Sequence, residues 1–119
     1  MFKKRLQSFK FAGAGLADLL SNTPNAKIHF ALAFLALFLS FYFELNRTEW
    51  CLIILCIAMV FMAEAFNTGL EYLTDLVTSE YHELAKKAKD VAAGAVLIAA
   101  IGSLIIGLII FVPKIKALF

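Results

Sequence analysis

Histidine and cysteine are scarce in this chain, with two of each in 119 residues. Cys51 and Cys56 lie five residues apart in an apolar segment with no His or further Cys beside them, which excludes a thiolate or imidazole zinc site and reads as two buried thiols acting as small hydrophobes. Charge is also sparse, at 17% of residues, and the formal net charge is only +2. The basic residues flank apolar runs and no base-reading module is present, so nucleic acid is not the expected partner. The short Gly13-Ala14-Gly15 stretch follows no predicted strand, and neither a Walker-type loop nor a protein-kinase signature occurs. Any nucleotide chemistry must therefore use an unrelated, helical site. No apolar core followed by a small-residue cleavage site opens the chain, so a cleaved signal peptide is not expected.

What the chain has in abundance is apolar surface: 62% of residues are hydrophobic and the mean hydropathy is +0.86. That is too apolar for an ordinary soluble domain of one compact unit. Apolar runs cover 28–43, 50–63 (continuing to 73) and 91–112. A span needs about 20 residues, so the third run suffices alone and the first two need their flanks. The expected fold is an all-α membrane bundle forming a single domain over 1–119, with spans at 28–45, 50–77 and 84–112. Residues 1–22, where Phe2, Leu6, Phe9, Leu16, Leu19 and Leu20 alternate with Lys3, Lys4, Arg5 and Lys10, predict an amphipathic helix on the membrane surface.

Eight basic residues (Lys3, Lys4, Arg5, Lys10, Lys27, Lys86, Lys87 and Lys89) fall on one side of that arrangement and three (Arg47, Lys114 and Lys116) on the other. The excess predicts a cytoplasmic N-terminus, with Tyr42 and Trp50 at the outer interface.

The chemistry concentrates in Glu64-Ala-Phe-Asn67-Thr-Gly-Leu-Glu71-Tyr-Leu-Thr-Asp75. At about 100° per residue, positions 64, 67, 71 and 75 share one helical face. Glu64 lies roughly 21 Å beyond Trp50 and Glu71 about 10 Å further, which puts one acid at lipid depth and the other at the headgroup level. Intramembrane carboxylates are costly and mark function. The arrangement suits a reaction between a lipid and a charged soluble molecule. In the third span, Ala88, Ala92, Ala95, Ala99, Gly102 and Ser103 form a small-residue packing face. Close packing there would bring Lys89 toward the acidic stripe, as a cation for phosphate oxygens beside carboxylates able to hold a divalent metal. Purely solvated lysines are the competing reading.

The segments Glu64 to Glu71, Asp75, Ser79-Glu80-Tyr81-His82-Glu83 and Ala88-Lys89-Asp90-Val-Ala-Ala-Gly-Ala-Val-Leu resemble the prokaryotic diacylglycerol kinase family, which includes the undecaprenol kinases. The resemblance implies a homotrimer with active sites shared between subunits, transferring the γ-phosphate of ATP to a membrane lipid alcohol with Mg2+. It assigns Glu64 as proton acceptor, Asn67 as an active-site amide and Glu71 as a magnesium ligand. Glu80, Tyr81, His82, Lys89 and Asp90 take the nucleotide, and Phe11 falls where an aromatic residue, usually Tyr, stands near the adenine. One position departs from the pattern: Thr23 replaces a second metal-binding Glu, which implies a weaker ligand there, or an inactive member. The register of that segment is otherwise kept by Asn25, Lys27 and His29, with His29 read as an interfacial residue capping the first span.

Diacylglycerol and undecaprenol both remain as acceptors, the 92–97 run being similar to the undecaprenol branch. The alternative to a kinase is a non-enzymatic oligomer, proton-conducting or scaffolding, in which Glu64 titrates. Ser79 is the expected N-cap of the third span, Asp75 is either structural or catalytic, and the phenylalanines of the first span are expected to face lipid or pack between helices.

Overall fold

The computed structural model describes residues 1–119. Four helices make up the chain: α1 (Phe2–Asn22), α2 (Pro24–Tyr42), α3 (Arg47–Val77) and α4 (Glu83–Lys116). The last three are long and apolar enough to cross a membrane. At 1.5 Å per residue, α3 and α4 are about 46 and 51 Å long, well beyond a hydrocarbon core of about 30 Å, so each carries extra turns into the interface.

Local chemistry sets each boundary. Pro24 opens α2 at a position where its missing N–H costs nothing, and it holds Thr23 extended (φ −117°, ψ 109°), which separates α1 from α2. The α2–α3 turn is a Schellman-type ending: Glu44 adopts φ +51°, Leu45 N donates to Ser40 O (3.1 Å) and Glu44 N to Phe41 O (3.3 Å). A reciprocal capping box then starts α3. Asn46 Oδ1 accepts from Glu49 N (2.9 Å) while Glu49 Oε1 accepts from Asn46 N (3.1 Å). The N-cap of α4 is His82, not the expected Ser79: His82 Nδ1 accepts from Leu84 N at 3.1 Å. Thr78, which closes α3, bonds Glu80 instead and shapes the turn between the two helices.

The framework is an antiparallel pair of α3 and α4. At one end Ile53 clusters with Ile110, Phe111 and Leu45; about one turn further along α3 Ser103 Oγ donates to Cys56 O (3.4 Å); at the other end Asp75 meets Lys89. Around this pair only 13 of 119 residues are buried, so most apolar side chains face outward, where hydrocarbon is their natural solvent. On α2 the outward face is Phe30, Phe34, Phe38 and Phe41, whereas the inward side carries the small residues Ala26, Ala33, Ala36 and Ser40 along with His29, and Leu39 packs against the Ile53 cluster. Of the two thiols only Cys56 is buried; Cys51 is exposed, because it sits one turn past the α3 start on the face away from α4. The small-residue face of α4 is divided likewise. Ala92, Ala99 and Ser103 turn toward α3, while Ala88, Ala95 and Gly102 stay exposed, one step around the helix.

Candidate active site

The buried face of α3 carries Ile53, Cys56 and Val60, then changes character to Glu64, Asn67 and Thr68. Glu64 is 1% exposed. Three buried oxygens within this one turn, Glu64 Oε1, Asn67 Oδ1 and Thr68 Oγ1, have no hydrogen-bond partner in the chain. Leaving such groups unpaired costs about 1–3 kcal/mol each, more for a charge, so their clustering marks a place built to receive something polar. One turn further, Asn67 Nδ2 donates to Glu71 Oε1 at 3.4 Å, fixing the amide so that its carbonyl oxygen stays free. Asp75, also on the predicted face, is exposed and pairs with Lys89 at 2.6 Å.

His29 is predicted from the sequence to cap the first span. It instead faces Glu64, with Nε2 3.1 Å from Oε1, an ion-pair distance that lacks the alignment of a hydrogen bond. The reason is tertiary: α2 starts at Pro24, so position 29 is already in its second turn and on the side toward α3.

A second region lies at the N-terminus of α4. An open groove of about 420 Å³ is lined by Thr74, Asp75, Thr78, the 79–82 turn, Ala85, Lys86, Lys89 and Asp90. Five of the residues that the resemblance gave to the nucleotide, Glu80, Tyr81, His82, Lys89 and Asp90, thus share one concavity. Lys86 pairs with Asp90 at 2.6 Å and Lys87 with Glu83 at 3.7 Å, so these lysines sit in ion pairs as well as in solvent. The volume is within the usual range for a small-molecule site. Phe11 and Thr23 are not in this lining: Phe11 is an exposed side chain of α1, and Thr23 stands at the α1–α2 break.

A third concavity, about 290 Å³ and almost wholly apolar, runs between α3 and α4 beside Met59, Met62, Phe66, Leu70, Ala95 and Ile98, with Asn67 its single polar residue. Asn67 therefore borders both lipid-like surface and the acidic stripe. Below it, α1 is tied to α3 by Tyr72, whose hydroxyl donates to Asp18 Oδ2 at 2.6 Å. Asn22 Nδ2 donates to the other Asp18 oxygen at 2.6 Å, and the two bonds, Tyr72 foremost, hold the Asp18 carboxyl below the usual range.

Mg2+ prefers oxygen donors and commonly takes one or two carboxylates plus substrate phosphates. Glu71 and the free Asn67 oxygen fit that donor chemistry, although no three His, Cys, Asp or Glu side chains cluster as a ready-made metal site.

A membrane helix pair that sets a buried carboxylate a few turns from a polar groove of mixed charge suits a membrane enzyme acting between lipid and water, and sequence comparison specifies it further. The profile of the prokaryotic diacylglycerol kinase family matches residues 10–111, and the chain belongs to that family of lipid kinases. It is 44% identical over 108 residues to the undecaprenol kinase of Bacillus subtilis (strain 168), covering 91% of this chain and 88% of that protein. It is also 36% identical over 114 residues to a diacylglycerol kinase of a Synechocystis species, covering 95% and 65%. The diacylglycerol kinase of Escherichia coli (strain K12) is 28% identical over 104 residues, covering 87% and 85%.

Proposed function

We propose that this lipid kinase transfers the γ-phosphate of ATP, with Mg2+, to the hydroxyl of a membrane lipid alcohol, and that undecaprenol is preferred over diacylglycerol. The carrying observation is the buried Glu64 carboxylate on the same face of α3 as Asn67 and Glu71. The 44% identity to an undecaprenol kinase, against 36% and 28% to two diacylglycerol kinases, supports the acceptor preference.

ATP enters from the cytosol and lies in the groove at the α4 N-terminus, where the helix dipole favours phosphate. Lys89 has three donors, so it can keep Asp75 and still reach a phosphate oxygen. Glu80, Tyr81 and His82 line the nucleotide side, with Lys86 and Asp90 closing it. Glu71, joined by Asn67, would hold Mg2+, which supplies charge neutralisation on the phosphates. The lipid approaches from the bilayer with its chain along apolar helix surface and its hydroxyl at Glu64. Glu64 takes the hydroxyl proton, the lipid oxygen bonds to the γ-phosphorus, and the bond to the bridging oxygen of ADP breaks. As in phosphoryl transfer generally, catalysis is mostly positioning and charge neutralisation.

Phe11 on α1 covers the adenine end in this reading, and Thr23 is a marginal metal contact. The chain acts as a homotrimer in the bacterial inner membrane, N-terminus cytoplasmic, with α1 lying amphipathically on the surface. The exposed Ala88, Ala95 and Gly102 offer neighbouring copies a close-packing face, and the eight-to-three distribution of basic residues supports the orientation. A proton-conducting oligomer would use Glu64 but would leave the Asn67–Glu71 and Lys89–Asp75 contacts without a task.

The test is phosphorylation of undecaprenol and diacylglycerol side by side in mixed micelles, with Glu64→Gln as control and Mg2+ titrated. Expected are faster turnover of undecaprenol, its loss in the variant and a requirement for Mg2+. Full turnover by Glu64→Gln removes the assigned base; faster turnover of diacylglycerol reverses the acceptor preference.

A further inference from the structure

His29 has no part in the mechanism above, yet it is the residue that approaches Glu64 from another helix. The inward stripe of α2 runs through Ala26, His29, Ala33, Ala36 and Ser40, and His29 is its only ring. Ala26, one turn earlier, is wholly buried, so the backbone of α2 comes close to its neighbours there and the imidazole has little freedom to leave. Nε2 stands 3.1 Å from Glu64 Oε1, within hydrogen-bonding distance. Oε1 has no other partner in the chain. The acid is 1% exposed and the imidazole 19%, so the ring lies between the buried carboxylate and the protein surface.

We propose that His29 is the positioning residue for the Glu64 carboxylate: its Nε2–H holds Oε1, which orients the second oxygen, Oε2, toward the lipid hydroxyl. The inference rests on the reading of Glu64 as proton acceptor. A carboxylate with no fixed donor rotates freely about its last torsion and presents either oxygen at any angle, whereas one held at Oε1 presents Oε2 in one direction. His29 neither touches substrate nor takes the proton in this scheme; it acts only through Glu64. Its loss therefore slows the chemical step without weakening the binding of ATP or lipid.

The experiment compares wild type, His29→Ala, His29→Gln and Glu64→Gln in the same mixed micelles, measuring kcat and the KM of each substrate, with the oligomeric elution profile alongside. A hydrogen bond to a charged group predicts a fall in kcat of about ten- to a hundredfold for His29→Ala, with both KM values within about twofold of wild type. His29→Gln, whose amide can donate to Oε1, should recover most of that loss. If Glu64→Gln is inactive while His29→Ala keeps kcat within twofold, the positioning role is overturned and the proton acceptor stands. If both histidine variants lose activity together with raised KM or altered elution, His29 is a packing residue and the proposal fails. If Glu64→Gln itself turns over normally, the reading beneath the proposal is the one that fails.

Discussion

Lys89 Nζ lies 2.6 Å from Asp75 Oδ1, joining the first turns of α4 to the last turns of α3 at the edge of the polar groove. The ion pair places a cation beside the acidic face without neutralising Glu71. Both side chains are partly exposed, so the pair's worth to stability is small, and its importance is positional. Lys89→Met is expected to raise the KM for ATP at least about tenfold, from the loss of a charged contact to phosphate. Asp75→Asn leaves the cation but frees it to wander, and should raise the same KM by a smaller factor. Steady-state kinetics with ATP varied at saturating lipid checks both; equal KM values in Lys89→Met and wild type would remove Lys89 from the nucleotide site.

Asn67 donates to Glu71 at 3.4 Å, and replacing it by Asp sets two carboxylates against each other at that separation. The variant is expected to lose about ten- to a hundredfold in turnover, the usual worth of a hydrogen bond to a charged group. A Mg2+ titration of the variant checks the cause: added metal should restore part of the activity if the two acids come to share the ion.

Tyr72 and Asn22 hold the Asp18 carboxyl below its ordinary value of 3.8. A depressed carboxyl contributes to the α1–α3 tether above the unfolded pKa and loses that contribution as pH falls through the folded one. The tether is thus intact near neutrality and is released in acid, below about pH 4. Carboxyl carbon NMR of Asp18 should show a midpoint below the ordinary range in wild type and a return toward it in Tyr72→Phe.

Glu44 holds φ +51°, a left-handed conformation that a glycine adopts without strain. Glu44→Gly should raise stability by up to about 1 kcal/mol, read as a higher unfolding temperature in a fixed detergent. An unchanged or lowered temperature would mean that the Glu44 side chain supports the turn in some other way.

The parts of this architecture legible from sequence are those written in local pattern. Three apolar runs announced three long helices, and the 64–67–71 spacing announced a polar face, because a helix imposes its period regardless of what it packs on. Where two helices meet was harder to read. His29 looked like a cap because nothing in the first span alone reveals that Ala26, Ala33 and Ala36 form the inward stripe and draw the imidazole to Glu64. The same holds for α4, where the register against α3 separates Ala92 and Ala99 from Ala88 and Ala95. The exchange of Ser79 for His82 as N-cap follows from the backbone, which is still extended at His82 and turns helical only at Glu83, and the positive φ of Glu44 has no sequence marker because glutamate is uncommon in that conformation. A usable signal for His29 did exist: it is the one polar ring in a row of alanines at helical spacing.

The outward-facing phenylalanines of α2, together with the leucines and isoleucines around the other spans, leave this protein with scarcely any interior of its own. Its surroundings serve as the missing half of its core. Melting temperature, yield and activity therefore belong jointly to the polypeptide and the amphiphile around it, and a detergent whose tails are too short to coat α3 and α4 acts on this chain much as a large cavity acts on a water-soluble enzyme.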